Sequence, residues 1–430
     1  MEKLKRFRNI KWENWLSSGL VMLVLLLAGS AVAQEDKLYN LNLVSDSSFL
    51  SKSQGEGIVI AVFDAGFVGA QEYPWFQKIE QEGRLLGSFN LVDSGSVYTG
   101  SSHGTMVLSI LAGDEKTFTG SAPKANYLLF KTENADIEVI EEEYNWGKAV
   151  DIADSLGVDI INSSLSYTEF DHPQENHAKI NLDGKTAPIT QFALKAARIG
   201  ILVVNSAGNK GNKEWFKIGF PADADSILSV GAVAANGEIS PFSSRGNTVD
   251  GRIKPEVVAM GEDVQYYDSR GLTFGDGTSF SAPIISGLCA RLMAAIPGFK
   301  AQDYLQAVLR SASQFQNPDS VLGFGIPSFS GAYEWLNTQR ILAEGGAEKV
   351  LRFGPNPVQL GSSLNVFHGG EEIEEFVIVD LMGRRVLTTA ISSGPSETAI
   401  PVQVDAGMYT LLAISNKGEL INVGLVEVVR

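Results

Sequence analysis

The sequence predicts an α/β protein with a mainly parallel sheet and helices on both faces, followed by a small C-terminal all-β sandwich. Over the first three quarters of the chain, short apolar runs typical of buried strands alternate with longer stretches of helical periodicity. Beyond residue 342 the helical pattern gives way to short alternating runs separated by Gly, Asn, Asp and Ser turns. The 430 residues, 44% of them hydrophobic, can bury more than one core.

The amino terminus has the pattern of a signal peptide. Basic side chains within residues 3–11 precede an apolar run at residues 20–28, and the small residues Ala31 and Ala33 stand at the cleavage positions. We expect cleavage after Ala33, so that residues 1–33 are the signal peptide. An uncleaved anchor is the alternative, but the apolar run is about half as long as a spanning helix needs. The pattern therefore predicts a secreted or cell-surface protein.

The predicted sheet and its helices follow in order along residues 34–342. The predicted strands are residues 57–63, 125–131, 158–162, 201–205 and 227–233. The predicted helices are residues 103–111, 145–156, 189–199, 278–295 and 301–311. Strands this apolar fit a parallel sheet that is buried on both faces. Such sheets bind ligands beyond the carboxyl ends of their strands, so polar side chains there are the first site candidates.

Four polar residues beside these elements have the types that hydroxyl activation needs. Asp64 ends the first strand, and His103 begins the first helix. Asn209 follows the fourth strand, and Ser279 starts an apolar helix, where unpaired amide groups favour negative charge. A serine becomes nucleophilic when an imidazole accepts its proton and a carboxylate fixes the imidazole tautomer. A side-chain amide can then stabilise the oxyanion.

Each of these residues also has an ordinary structural interpretation. Ser279 fits a helix N-cap, and Asp64 fits a turn or a cap. His103 fits a surface histidine, and Asn209 fits a turn that is rich in glycine. The occurrence of all four types in the order Asp, His, Ser favours the catalytic interpretation.

The other histidines and the single cysteine have no motif around them. His172 and His177 fall in a polar stretch that predicts a loop, and His368 precedes two glycines. Cys289 lies within the helix that follows the candidate nucleophile, where we expect a small buried hydrophobe. One cysteine allows no intramolecular disulfide.

Further motifs accompany the four candidates in a fixed order along the chain. They are DIINSSL at 159–165, SAGN at 206–209, FPA at 220–222, SVGAV at 229–233, FSSRG at 242–246, KPEVVA at 254–259 and GTSFSAP at 277–283. Together with the segments around Asp64 and His103, these motifs resemble the subtilisin family (subtilases) of serine proteases, from about residue 57 to about residue 332. The resemblance implies a subtilisin-like fold and a serine endopeptidase that cleaves peptide bonds through an acyl-enzyme.

The resemblance also assigns roles to individual residues. It makes Asp64 the orienting carboxylate, His103 the general base and then acid, Ser279 the nucleophile and Asn209 the oxyanion donor. The family binds the substrate backbone as an added β-strand, and two segments would flank that strand here. The predicted substrate-binding residues are Ser164, Leu165, Ser166, Ala207 and Gly208.

The chain departs from the family pattern in three places. The family has glycines after the leucine of the first substrate-binding segment, whereas this chain has Ser166 and Tyr167. We expect Tyr167 to narrow or cap the pocket for the side chain before the cut bond. Many secreted subtilases have an inhibitory prodomain, but only residues 34–56 precede the protease core here, so latency must arise elsewhere. The inserted residues 73–84 go beyond the minimal family core.

Charge and composition limit the partners. The net charge of −16 argues against a nucleic-acid partner, and protein or peptide substrates are expected. The predicted chemistry requires no cofactor. Structural calcium is left open, because the acidic run at residues 222–225 also fits a solvated turn.

The C-terminal region has its own pattern. Residues 343–349 form a predicted linker and residues 350–430 a predicted β-sandwich. Its strands are predicted at residues 363–367, 375–380, 384–389, 399–404, 407–414 and 420–428. The motifs GPNP at 354–357, VDLMGR at 379–384 and AGMY at 406–409 resemble the C-terminal sorting domain of proteins exported by the type IX secretion machinery of the Bacteroidetes. That resemblance implies the outer-membrane secretion machinery as a partner.

Three alternatives to this interpretation stay open. The terminal sandwich could instead bind carbohydrate or act in adhesion, although Phe353, Phe367, Phe376 and Tyr409 fit core positions. The same triad could serve an esterase or amidase. The chain could also be a catalytically idle surface binding protein on a protease scaffold. The sequence favours a secreted serine endopeptidase, because the quartet of catalytic residue types is intact.

Overall fold

The computed structural model describes residues 38–343, 352–367, 373–380, 382–391, 397–416, 418 and 420–430. The predicted signal peptide, His368 and residues 344–349 of the predicted linker lie outside these residues. The helices are α1 (Ser47–Leu50), α2 (Pro74–Gln81), α3 (His103–Ala112), α4 (Glu141–Ser155), α5 (Pro188–Arg198), α6 (Thr278–Ala295), α7 (Ala301–Arg310) and α8 (Phe329–Ala343). Short 3-10 turns occur at Tyr39–Leu41, Ala70–Glu72, Pro173–Glu175 and Lys179–Asn181.

Strands occur in two groups. Before α6 they are β1 (Val59–Asp64), β2 (Leu85–Asn90), β3 (Asp114–Glu115), β4 (Phe118–Thr119), β5 (Asn126–Lys131), β6 (Ile160–Ser163), β7 (Leu202–Ser206), β8 (Leu228–Val233), β9 (Val257–Met260), β10 (Val264–Asp268) and β11 (Gly271–Gly275). After α8 they are β12 (Arg352–Gly354), β13 (Val358–Gln359), β14 (Ser363–Phe367), β15 (Ile373–Asp380), β16 (Arg385–Ala390), β17 (Glu397–Pro401), β18 (Gly407–Ser415) and β19 (Leu420–Val429).

Seven parallel strands form the central sheet, in the order β2-β5-β1-β6-β7-β8-β9. Side chains alternate between its faces along each strand. Ile60 and Val62 of β1 pack into one apolar core, which α3 and α6 cover, whereas Ala61 and Phe63 pack into a second core under α4 and α5. The structure confirms the predicted fold class, a parallel sheet with helices on both faces.

The five predicted strands and five predicted helices of this region are all present, with ends displaced by a few residues. The sequence analysis does not predict β2, β9, α2 or α8. The inserted segment forms α2, which buries Trp75, Phe76 and Ile79 against the apolar core. The ring of Phe76 lies 5.9 Å from that of Tyr98. The insertion is therefore a packed amphipathic helix that covers one edge of the core.

Residues 38–56 belong to the same core rather than to a separate unit. Phe49 and Leu50 are buried within it. The buried guanidinium of Arg291 on α6 donates hydrogen bonds to the carbonyls of Leu50 at 2.9 Å and Ser53 at 2.7 Å. Burial lowers the pKa of Arg291 to about 10. These hydrogen bonds connect the segment before β1 to α6, the helix whose second residue is the candidate nucleophile.

The C-terminal strands form two sheets, ordered β12-β14-β17 and β13-β19-β18-β15-β16. Both sheets contribute to one apolar core, Leu364 and Ile400 from the first and Leu411 from the second. Phe376 and Tyr409 are buried there, as predicted, and Phe353 packs against the core. Among the described residues this core shares no member with the two cores of the central sheet. No helix in the described ranges is both long and apolar enough to cross a membrane.

Candidate active site

Segments that follow several strands of the central sheet meet in one cleft with a cavity of about 650 Å³. Seven of the predicted site residues line it: His103, Ser164, Leu165, Ser166, Gly208, Asn209 and Ser279. Asp64 and Ala207 do not, because both are fully buried behind the cleft wall. The fold therefore brings together residues that are up to 215 positions apart, Asp64 and Ser279.

A buried carboxylate contacts the histidine of the cleft. Asp64 ends β1, and its Oδ1 and Oδ2 both lie 2.9 Å from Nδ1 of His103. The backbone N–H of Ala65 donates to Oδ1 at 2.8 Å and holds the carboxylate in place. With Nδ1 protonated toward Asp64, the Nε2 atom of His103 is left as a proton acceptor.

The approach of α3 to the end of β1 requires a glycine. A Cβ atom on Gly104 would lie 2.5 Å from the carbonyl oxygen of Gly66 and 3.0 Å from the Cβ of Asp64. Neither the Gly66 carbonyl nor the Asp64 Cβ could yield without moving the carboxylate away from His103. The glycine that follows the histidine in the sequence thus sets the distance between imidazole and carboxylate.

Two opposing effects act on the pKa of His103. Burial disfavours the charged imidazolium, whereas the negative charge of Asp64 and the hydrogen bond to it favour that form. The net result is a raised pKa for His103. A stabilised imidazolium is what a general base requires once it has accepted a proton.

Ser279 is the second residue of α6 and exchanges hydrogen bonds with Ser164. Its Oγ donates to the Ser164 carbonyl at 3.1 Å, and the Ser164 hydroxyl donates to the Ser279 carbonyl at 2.8 Å. The Ser279 carbonyl is free to accept because its helical partner four residues on is Pro283, which lacks an N–H. Proton transfer to His103 requires the Ser279 hydroxyl to give up the Ser164 bond, and catalytic hydrogen bonds commonly form fully only with substrate present.

The orientation of the Asn209 amide is fixed by Thr278. The Asn209 Oδ1 accepts hydrogen bonds from the backbone N–H of Thr278 at 3.0 Å and from its hydroxyl at 2.9 Å. The Thr278 hydroxyl in turn accepts from the backbone N–H of Gly208 at 3.1 Å. Because a backbone N–H can only donate, the atom facing it is the amide oxygen, and the NH₂ group of Asn209 is left to donate elsewhere.

The segment Ser164 to Ser166 continues β6 along the cleft. The Leu165 carbonyl accepts hydrogen bonds from the side chains of Asn205 and Ser206, both at 3.1 Å. Within residues 38–343, the N–H and C=O groups of Ser166 have no hydrogen-bond partner. An edge that is fixed on one side and has free main-chain groups on the other is suited to pair with an extended peptide.

Ala207 and Tyr167 lie behind this edge. Both main-chain groups of Ala207 are in use, since its N–H donates to Val230 at 2.9 Å and its carbonyl accepts from Gly219 at 3.0 Å. Tyr167 lines the cavity wall with only 1% of its surface exposed, and its main chain exchanges two 3.0 Å hydrogen bonds with Phe220. Narrowing of the pocket by Tyr167 stays a prediction.

One histidine from the predicted loop is buried behind the cleft. The side chain of His177 is 9% exposed, and its Nε2 lies 2.5 Å from Oε1 of the buried Glu143 on α4. Its ring lies 4.3 Å from the ring of Phe220. His177 therefore supports the Tyr167 and Phe220 pair from behind. The sequence analysis misses this role because the pairing joins a loop to a helix 34 residues away.

Carboxylates that the sequence analysis does not single out form one wall of the cleft. Glu133 and Glu138 line the cavity. Burial, together with the neighbouring Glu142, raises the pKa of Glu133 well above its usual range. Glu142 lies beneath, where its carboxylate accepts hydrogen bonds from the backbone N–H groups of Asn134 and Val139. Burial raises the pKa of Glu142 to about 7.

The acidic run at residues 222–225 is only in part a solvated turn. Asp225 is exposed, but Asp223 is fully buried and accepts hydrogen bonds from the Gly184 N–H at 2.8 Å and the Thr190 hydroxyl at 2.6 Å. No group of three or more His, Cys, Asp or Glu side chains in the described ranges is arranged to hold a metal ion. Cys289 is buried in α6, as predicted, and burial raises the pKa of its thiol.

Comparisons with known proteins agree with this geometry. The subtilisin-like protease SBT6.1 of Arabidopsis thaliana is 25% identical over 302 residues, which are 66% of this chain and 26% of that protein. Serine protease AprX of Bacillus subtilis (strain 168) is 27% identical over 310 residues, 63% of this chain and 65% of AprX. Subtilisin DY of Bacillus licheniformis is 28% identical over 257 residues, 58% of this chain and 81% of that protein. The chain thus spans less than two thirds of the length of SBT6.1 and of AprX.

Solved structures share the fold of the region around the central sheet. MycP1 with the N-terminal propeptide removed aligns with a TM-score of 0.53 and 21% identity, covering 69% of this chain and 96% of that one. The prenylagaramide maturation protease PagA aligns with a TM-score of 0.52 and 25% identity, covering 67% of this chain and 96% of that one. The sequence pattern of the subtilase family matches residues 55–325, which include every predicted site residue. The chain belongs to the subtilase family.

Proposed function

We propose that this protein is a secreted serine endopeptidase in which Asp64, His103 and Ser279 form the catalytic triad and Asn209 is the oxyanion donor. The observation that carries the proposal is the Asp64 to His103 contact, with both carboxylate oxygens 2.9 Å from Nδ1, at the same cleft as Ser279 and Asn209. Substrates on this proposal are proteins or peptides bound as a strand along the free edge at Ser166.

The proposed reaction proceeds in two halves. The Ser279 Oγ attacks the scissile carbonyl carbon while Nε2 of His103 takes its proton, and Asp64 stabilises the imidazolium. The amide NH₂ of Asn209 and the amide groups at the start of α6 donate to the oxyanion. The carbon–nitrogen bond then breaks as His103 returns the proton to the leaving amine. A water oxygen then attacks the acyl carbon while His103 takes its proton. The bond from this carbon to Ser279 Oγ breaks, and His103 returns the proton to Oγ.

A comparison of two substrates distinguishes peptidase from esterase activity. We expect the purified protein to digest casein and to cleave a small p-nitrophenyl ester, because serine acyl transfer serves both bonds. An intact casein sample beside a cleaved ester would assign the triad to an esterase or amidase instead. Failure to cleave either substrate would favour the idle binding scaffold.

Asn209→Ala tests the proposed oxyanion donor. We expect a loss of about 3 kcal/mol of transition-state stabilisation, seen as a fall in kcat with little change in KM, because the amide binds charge that develops only in the transition state. Asn236→Ala, which removes an exposed turn amide, is the control and should retain full activity. A rise in KM alone in Asn209→Ala would contradict the role.

We also propose that the signal peptide at residues 1–33 directs export and that residues 350–430 form a sorting domain for type IX secretion. One observation supports a separate C-terminal unit, the apolar core between its two sheets. The motif that resembles the sorting domain lies at the turn between β15 and β16. In that turn Asp380 accepts hydrogen bonds from the backbone N–H groups of Met382 and Arg384 and from the guanidinium of Arg384. Asp380 and Arg384 of the VDLMGR motif therefore shape a turn in which Met382 and Gly383 are buried.

Deleting residues 351–430 tests this division of labour. In a bacterium with type IX secretion, the full chain should appear in the medium or on the cell surface. The truncated chain should stay inside the cell and keep its peptidase activity in the lysate, because the cores around the central sheet share no residue with the sandwich. Export of the truncated chain, or loss of activity in a well-folded truncated protein, would refute the assignment.

A further inference from the structure

The gap that flanks the nucleophile is bounded by the Ser164 to Ser166 segment on one side and by Gly208 and Asn209 on the other. On the proposed function, the scissile carbon contacts Ser279 Oγ while its oxygen contacts Asn209. The side chain of the residue that supplies this carbonyl then falls between the two segments. The protein atoms that occupy this gap therefore determine which substrate side chains fit at the position before the cut bond.

The hydroxyl of Ser166 occupies this gap. A Cβ atom on Gly208 would lie 2.7 Å from Ser166 Oγ, and a Cβ on Gly219 would lie only 2.0 Å from it. The Cβ of Ser166 is farther from the same two positions, at 3.5 Å and 3.3 Å. Carbon atoms in contact are normally about 3.5–4.0 Å apart, so Oγ leaves no room for another carbon atom between the two glycines.

Hydrogen bonds hold the main chain of the residues next to this hydroxyl. Gly208, at φ +104°, has its carbonyl bonded to the Ser244 N–H at 2.9 Å, and the Gly219 N–H is bonded to Ala207. Directly after Ser166, Tyr167 is paired with Phe220. The main chain of Gly208, Gly219 and Tyr167 is therefore held by hydrogen bonds, and moving these residues apart would break the bonds.

We infer that Ser166 closes the pocket beside the nucleophile and restricts the enzyme to substrates with glycine, alanine or another very small residue before the cut bond. The inference rests on the proposed function and names its substrate class. The blocking atom is Oγ rather than the ring of Tyr167, which lies in the wall beneath with 1% of its surface exposed.

Four peptide p-nitroanilides that differ only in the residue before the cut bond test the inference. With glycine, alanine, leucine or phenylalanine there, the wild type should cleave the first two at least about tenfold faster in kcat/KM than the last two. Ser166→Ala removes only Oγ. It should raise kcat/KM for the leucine and phenylalanine peptides about tenfold relative to that for the alanine peptide. Ser166→Gly should raise the same ratio at least as strongly. Ser166→Thr, which adds a methyl group, should leave glycine as the best substrate. The exposed Ser94→Gly is the matched control and should keep the wild-type order.

The outcomes separate the two proposals. Cleavage by the wild type without preference for small residues, or an order that Ser166→Ala and Ser166→Gly leave unchanged, overturns the role of Ser166 while the peptidase assignment stands. Cleavage of none of the four peptides, together with no labelling of the wild type by a fluorophosphonate probe, overturns both. A small-residue preference that only the Ser166 variants relax supports both.

Discussion

Ser279→Ala is expected to abolish peptide cleavage, with kcat falling about 10⁶-fold, because the variant lacks the Oγ atom that forms the proposed acyl-enzyme. The variant should bind peptides as tightly as the wild type, since the free edge at Ser166 is untouched. The measurement is mass-spectrometric mapping of cuts in a peptide library treated with wild type and variant. Cuts made by both proteins at the same bonds would show that the hydrolysis does not depend on Ser279.

Ser281→Ala is the matched control for this variant. Ser281 lies two residues further along α6, fully buried, and its hydroxyl donates to the Ala259 carbonyl. Its loss should cost about 1 kcal/mol of unfolding free energy, the contribution of one typical hydrogen bond, and leave the cleavage map unchanged. Equal losses of activity in both variants would point to damage to α6 rather than to the removal of a nucleophile.

Asp64→Asn is expected to lower kcat about 10⁴-fold while the protein stays folded. The Ala65 N–H donates to Oδ1 of Asp64, so an asparagine would keep its oxygen there and turn its NH₂ group toward His103. Facing a donor, Nδ1 would become the acceptor, and the proton would move to Nε2, the atom that must accept from Ser279. Steady-state kinetics and a thermal melt of the variant measure both effects. Activity within tenfold of the wild type would contradict the role of the carboxylate.

The pH profile of kcat/KM gives a second readout for the same variant. The base form of His103 is active, so activity is present above its pKa and lost as the pH falls through it. Asp64 raises that pKa through its charge and hydrogen bond, against the opposing effect of burial. Removing the charge should therefore move the acid limb to lower pH. A limb that stays in place would mean that another group controls it.

The sequence was sufficient to predict five of the seven strands of the central sheet. The strands β1 and β7 contain the buried apolar runs Ile60 to Phe63 and Leu202 to Val204, which is the pattern of parallel strands. The carboxyl ends of such strands meet at one edge of the sheet, so the polar residues Asp64 and Asn209 were expected at that edge. Six strands of the terminal sandwich were predictable because alternation and turn residues mark them, whereas the short strands β12 and β13 were not predicted.

The interactions that support the site could not be predicted from local pattern. Thr278 orients Asn209 and Ser164 binds the Ser279 carbonyl through contacts across 69 and 115 residues, respectively. The proposed blocking role of Ser166 depends on two glycines, Gly208 and Gly219, that approach it only in the folded chain. The anchoring of residues 38–56 by Arg291 is also invisible in the sequence, because a buried arginine bound to carbonyls has no periodic signature.

Covalent labelling tests most directly whether these residues work as one unit. The full chain is treated with a fluorophosphonate probe, and the modified peptide is identified by mass spectrometry for the wild type and for His103→Ala. The account predicts a single adduct on Ser279 in the wild type and a labelling rate that falls by orders of magnitude in the variant, because the hydroxyl loses its base. An adduct on another serine, or equal labelling of Ser279 in both proteins, would contradict it.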